Sequence, residues 1–302
     1  MTSVATPIER SGPLENFEHG FNRVIVSSDE RYIATSDVDM NVIVRENDRV
    51  VFEHNLSSDN EKIKPTERIR GMKFSPSGEY LYVAAGSILT AWRTEGWEIA
   101  WTYEAPRSFG FLIISPIALD VAETGDVAVA FDNGSIVVWN ADGRPKAKIQ
   151  DNDSPRWLRF MADGKSIVGS DSFSLAKWDV DRRKRSLRIQ LRDRVFGLDV
   201  DTRGGVAITR TLQDIMLWDL DRSQILKVLP IGPGAPVVAL DSTSRRMAYA
   251  ERNHVRVVNY EGVLLDEFFL DVASALSMVF LPESNELLVG CTERVLARFP
   301  LG

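Results

Sequence analysis

Four segments are versions of one pattern: SILTAW (87–92), SIVVWN (135–140), SLAKWD (174–179) and DIMLWD (214–219). Their tryptophans, Trp92, Trp139, Trp178 and Trp218, follow one another at 47, 39 and 40 residues. A recurring spacing of about 40 marks a repeat architecture, in which one supersecondary unit is used many times. A second marker precedes each segment. Phe74, Val121, Phe160 and Val200 stand 18 residues before the tryptophans and lead into the turns SPSG, AETG, MADG and DTRG. The same ruler pairs Leu240 with Val258 and Phe280 with Arg298. It also pairs Val26 with Val44, or with Arg45 if SDVDMN holds one inserted residue. Seven units result, three of them without the tryptophan.

Within a unit the apolar positions alternate. In GMKFSPSGEYLYVAAGSILTAW (71–92) they read as strand, tight turn, strand, turn and third strand. Gly78, Gly125, Gly164 and Gly204 suit turn positions that need unusual backbone angles. A fourth strand follows each tryptophan position, at 50–54, 98–103, 146–150, 187–191, 225–229 and 264–269. Four short antiparallel strands per unit, repeated radially, make an all-β seven-bladed β-propeller. The expected blades span 21–54, 69–103, 117–150, 156–191, 195–229, 236–269 and 275–302, and the whole chain reads as one domain. Blade seven runs out of chain after its third strand, so residues 3–10 (SVATPIER) are expected to supply its outer strand and cover the bare edge. Pro7 is acceptable there, since an outermost strand has one unpaired side.

The chain resembles the WD-repeat proteins. Trp178–Asp179 and Trp218–Asp219 carry the resemblance, with Trp139–Asn140 and Trp92–Arg93 as weaker relatives. Asp132 and Asp171, each seven residues before its tryptophan, match the family's turn aspartate, and Asp37 is a third candidate. No Gly-His pair opens any unit, and His19, His54 and His254 fall elsewhere. The resemblance therefore implies that the family's buried His–Asp–Trp network is absent or rebuilt.

The net charge of −7 argues against general DNA binding, which needs clustered Lys and Arg. One cysteine, Cys291, cannot form an intramolecular disulfide and favours a cytoplasmic setting. No apolar run suggests a signal peptide or a membrane span. Three scattered histidines and one cysteine give no zinc-ligand spacing, and neither a nucleophile elbow nor a phosphate loop occurs. The carboxylate pairs Asp151/Asp153, Asp199/Asp201 and Asp219/Asp221 read as structural, and DNDSPRW lacks calcium-loop spacing. The expectation is a chain that is not an enzyme, uses no cofactor or metal, and engages neither nucleic acid nor membrane.

Two units are about seven residues longer than the rest, at 55–68 and 105–116. Both excesses lie between a fourth strand and the next first strand. In WD-repeat propellers such links share the narrower top face with the turns between second and third strands. The second insertion, APRSFGFLIISP, places Arg107, Phe109 and Phe111 as aromatic-plus-arginine anchors, the composition of an interface core. The alternative is that Phe111–Ile114 fold down as core of blade three. Trp157 and Phe173 extend the patch, and Arg68, Arg70, Arg156 and Arg194 give it a basic rim. A second basic feature, DRRKRSLRIQLRDR (181–194), holds Arg182, Arg183, Lys184, Arg185 and Arg188 at the outer edge of blade four. It serves either to prevent edge pairing or to dock an acidic segment.

The leading reading is a protein-interaction scaffold that binds a protein or peptide, acidic in character, on the top face near blades 2–4. The alternative is a channel-centred small-ligand binder or metal-dependent propeller enzyme. It needs inward carboxylates, and Asp120 and Asp199 are the residues to inspect. The equivalent first-strand positions Met72, Leu119, Leu158, Leu198, Val238 and Met278 are uniformly apolar.

Overall fold

A computed structural model describes residues 3–4, 23–57, 68–106, 114–201, 203, 205–232, 237–241, 243–251, 253–270, 274–281, 283–292 and 296–302. Seven sheets succeed one another along the chain, each built from consecutive antiparallel strands, with Ser3–Val4 added to one of them. This is a seven-bladed β-propeller. In blades one to six the fourth strands are Arg49–Asn55, Ile99–Glu104, Pro145–Gln150, Lys184–Gln190, Gln224–Pro230 and Leu264–Phe269. Blade seven has three strands among the described residues, Ala275–Leu281, Glu286–Cys291 and Leu296–Pro300.

The chain divides into two compact units. One comprises Ile25–Ala34 with Asp39–Arg192, and the other takes Asp193–Gly302 with Thr35–Val38. In the first unit the alternation of each strand explains its burial on both faces. On the second strand of blade two, Leu81, Val83 and Ala85 pack with Met40, Val42 and Val44 of blade one. Tyr82 and Ala84, between them, pack with Val127, Val129 and Phe131 of blade three. Successive side chains point to opposite sides, so a central strand must be apolar throughout. A fourth strand, with one face in solvent, alternates, as KRSLRIQ (184–190) does. In the second unit the same arrangement joins blade five to six and six to seven.

The ruler position has a structural identity. In the pairing of third with fourth strand a β-bulge falls immediately before Trp92, Trp139, Trp178 and Trp218. It recurs before Val258 and before Arg45, which makes Arg45 rather than Val44 the equivalent in blade one. The bulge re-aims the side chain that follows it. Trp92 packs with blade one, Trp139 with blade two and Trp178 with blade three.

Gly78, Gly125 and Gly164 adopt the left-handed conformation their turns require. In blade five Gly205 has that conformation (φ 64°), while Gly204 lies outside the described residues. Of the expected clasp at 3–10, residues 5–10 also lie outside them. The pairing that is described sets Ser3–Val4 parallel to the fourth strand of blade six, opposite Phe268 and Phe269.

Candidate interaction surface

One end of blade four gathers several of the residues singled out in the sequence. Trp157 opens the first strand (Trp157–Phe160) and pairs with Ser170, the last residue of the second. The Arg156 amide donates to the Ser170 carbonyl at 2.8 Å. Phe173 then caps the turn, 47% exposed. This turn is held at four points. Asp171 Oδ1 accepts the amides of Phe173 (2.6 Å) and Ser174 (2.5 Å). The Phe173 carbonyl accepts the Leu191 amide (2.8 Å) and Gln190 Nε2 (3.0 Å). An exposed phenyl ring thus stands on a hydrogen-bonded turn, at the same end of the blade as half-buried Trp157 and exposed Arg156.

The loop entering blade four carries Asp151 and Asp153, and it absorbs part of the basic edge. Arg185 Nη1 donates to Asp153 Oδ2 (2.5 Å) and Asp151 Oδ1 (3.1 Å), and Arg188 Nη2 lies 3.2 Å from Asp153 Oδ1. Asp151 Oδ2 also accepts Trp178 Nε1 at 2.6 Å. Arg185 and Arg188 therefore stitch the fourth strand to the interblade loop. Arg182 pairs loosely with Asp179 at 3.6 Å, and Arg183 and Lys184 are exposed.

The anchors Arg107, Phe109 and Phe111 lie outside the described residues, and those on either side of them are held by hydrogen bonds. The Ala105 amide donates to Ser87 O (2.8 Å), and the Ser115 amide donates to Asp132 Oδ1 (3.1 Å). Ile114 is half-buried against the core between blades two and three. Arg68 and Arg70 are exposed at the start of blade two. Arg194, on the entry to blade five, is exposed and lies over the Phe196 ring at 5.2 Å.

The two carboxylates of the channel reading have another role. Asp120 Oδ2 accepts the Phe160 amide of the next blade at 2.7 Å, and Asp199 Oδ2 accepts the Leu240 amide at 2.9 Å. Each is an interblade clasp. Asp120 Oδ1 lies between Lys73 Nζ (3.5 Å) and Arg159 Nη1 (3.9 Å). Met72, Leu119, Leu158 and Met278 are buried in the cores between blades. Among the described residues no three His, Cys, Asp or Glu side chains are grouped to hold a metal ion.

No family model and no curated protein matches the sequence. Solved structures do match. That of U3-55K aligns with a TM-score of 0.78 at 16% identity, over 95% of this chain and 97% of the other. The crystal structure of the RRP9 WD40 repeats aligns at 0.79 and 15% identity, over 96% of each chain. The fold is that of the WD40-repeat propellers.

Two features of the WD40-type blade are here reduced to hydrogen bonds. The residue after Trp139, Trp178 and Trp218, and after Val258 in blade six, closes the turn between third and fourth strands. Asp179 Oδ1 and Asp219 Oδ1 each accept the amide three residues on (2.8 Å), and Asn140 and Asn259 accept the amide four residues on (2.8 Å). The tryptophan network is rebuilt without histidine. Trp218 Nε1 donates to Thr209 Oγ1 (2.8 Å) on the neighbouring strand, and Trp178 Nε1 donates to Asp151. In blade five Thr211 takes the place of the turn aspartate, its Oγ1 accepting the amides of Gln213 (3.2 Å) and Asp214 (3.0 Å). The sequence signal for Thr211 was its position seven residues before Trp218, which a search for aspartate alone passes over.

Proposed function

We propose that this chain is a non-enzymatic protein-interaction scaffold that binds a peptide or protein segment, acidic in character, on the turns and interblade loops of blades two to four. The observation that supports the reading best is Phe173, an exposed aromatic ring on a turn held by four hydrogen bonds, with Trp157 and Arg156 at the same end of the blade. A preordered surface loses little entropy on binding, and aromatic side chains beside arginine are what interface centres are made of. Arg107, Phe109, Phe111 and Arg70 belong to the same proposed surface. Arg194 supplies basic charge at the entry to blade five. Arg182, Arg183 and Lys184 add a positive edge to a chain of net charge −7, which would speed the approach of an acidic segment. A cytoplasmic setting suits the single cysteine.

Affinity capture followed by mass spectrometry tests this. Phe173→Ala, Arg107→Ala and Phe109→Ala are each expected to reduce recovery of the same partner by roughly tenfold, the size of a hot-spot loss, at an unchanged melting temperature. A partner retained at full strength by all three variants contradicts the proposed surface.

A further inference from the structure

We infer that Arg210 is the receptor for an oxyanion, a carboxylate or a phosphate, at the end of the second strand of blade five (Val206–Arg210). Arg210 is among the largest fully buried side chains, 1% exposed, yet its Nε and Nη1 have no hydrogen-bond partner. Its backbone is fixed in the strand, the carbonyl accepting the Phe196 amide at 2.8 Å. Glu251, the acidic group that acts on it electrostatically, is already engaged. Glu251 Oε1 accepts the Gly232 amide at 2.7 Å, and Oε2 is bonded to Arg256, which also donates through Nε to Glu267 Oε1 at 2.9 Å. Gly232 is adapted to that bond, since a Cβ there would lie 2.0 Å from Glu251 Oε1. The nearby carboxylate is thus committed elsewhere.

Buried donors without partners are rare, and a specific instance calls for a missing ion, water or ligand. Removing one partner from a buried charge is strongly unfavourable. A guanidinium is suited to planar or tetrahedral oxyanions, to which it presents several fixed N–H donors. The residues after Arg210 form the turn Thr211–Asp214, on which Leu212 is 64% exposed. Burial pulls the guanidinium's pKa below its ordinary value, against the effect of Glu251, and a bound anion would reverse that shift. The inference does not depend on the surface proposed for blades two to four.

Thermal unfolding at constant ionic strength tests it, with chloride, inorganic phosphate or a short oligoglutamate peptide as the probe. The wild type is expected to gain roughly 2 °C or more in phosphate or peptide over chloride. A gain in phosphate marks a free oxyanion as the ligand, and a gain confined to the peptide marks a partner's side-chain carboxylate. Arg210→Met is expected to show no gain and, in chloride, to melt no lower than the wild type, because the bare charge is gone. Arg210→Lys, which keeps the charge and loses the fork, is expected to keep less than half the gain. No gain with either probe, an equal gain in Arg210→Met, or a lower melting point of Arg210→Met in chloride would overturn the assignment and leave internal water as the partner of Arg210.

Discussion

Thr209 and Asp151 solve one problem in two ways. A buried indole N–H needs an acceptor, and the two tryptophans find theirs in different parts of the chain. Trp218 takes a hydroxyl from the adjacent strand, and Trp178 takes a carboxylate from the loop entering its blade. Thr209→Val keeps the shape of the side chain and strands the indole donor, so it is expected to cost about 1–3 kcal/mol in chemical unfolding. Thr209→Ser is expected to restore most of it. Cys291, 0% exposed, has its thiol pushed up to about 12 by burial. In the unfolded chain this thiol ionises near pH 9, whereas in the fold it stays protonated. Stability should therefore fall as pH rises from about 9 to 12, and Cys291→Ala should remove that part of the pH dependence. At neutral pH a thiol reagent should leave Cys291 unmodified until the protein unfolds. The tryptophans were legible in the sequence as a ruler. Their acceptors were not, because one depends on strand register and the other on a loop joining two blades.

At the scale of the element, two kinds of carboxylate do separate jobs. Asp171 organises a turn inside its own blade, and Thr211 does the same in blade five with a hydroxyl. Asp120 and Asp199 instead join one first strand to the next. Asp120→Ala is expected to destabilise by about 1–3 kcal/mol, since the Phe160 amide loses its acceptor in a buried setting. Asp120→Asn keeps an oxygen for the amide and should lose less. Asp171→Ala should cost about 1 kcal/mol and, by loosening the turn under Phe173, weaken partner capture as well. The outer strand of blade four begins at Lys184, three residues before the expected 187–191, whereas that of blade six followed from alternation and turn chemistry at its expected bounds. The role of Asp120 did not, because alternation predicts which side a residue faces but not the neighbouring blade's amide opposite it. The ion pairs within the basic edge of blade four were hidden for a similar reason. Its arginines were visible as a run of charge, whereas the two aspartates that engage Arg185 and Arg188 stand some 30 residues earlier.

For the molecule as a whole, seven blades were countable because a packing position at a β-bulge recurs at nearly fixed spacing even where the tryptophan has been replaced, by Arg45 in blade one and Val258 in blade six. The completion of blade seven is a different matter. Its three described strands, and the short pairing of Ser3–Val4 with blade six, reflect long-range partner choice that no local pattern encodes. The proposed surface is intermediate in this respect. The sequence placed Phe173 and Trp157 in the right turn and strand, and the hydrogen bonds that make the turn rigid became visible only with the fold. Hydrogen–deuterium exchange of the wild-type protein with and without its captured partner tests the central claim most directly. Slowed exchange at 156–157, at 170–174 and across 105–116 is the predicted result. Protection confined to the outer strands, such as Gln224–Pro230, with none at the Phe173 turn, would contradict it.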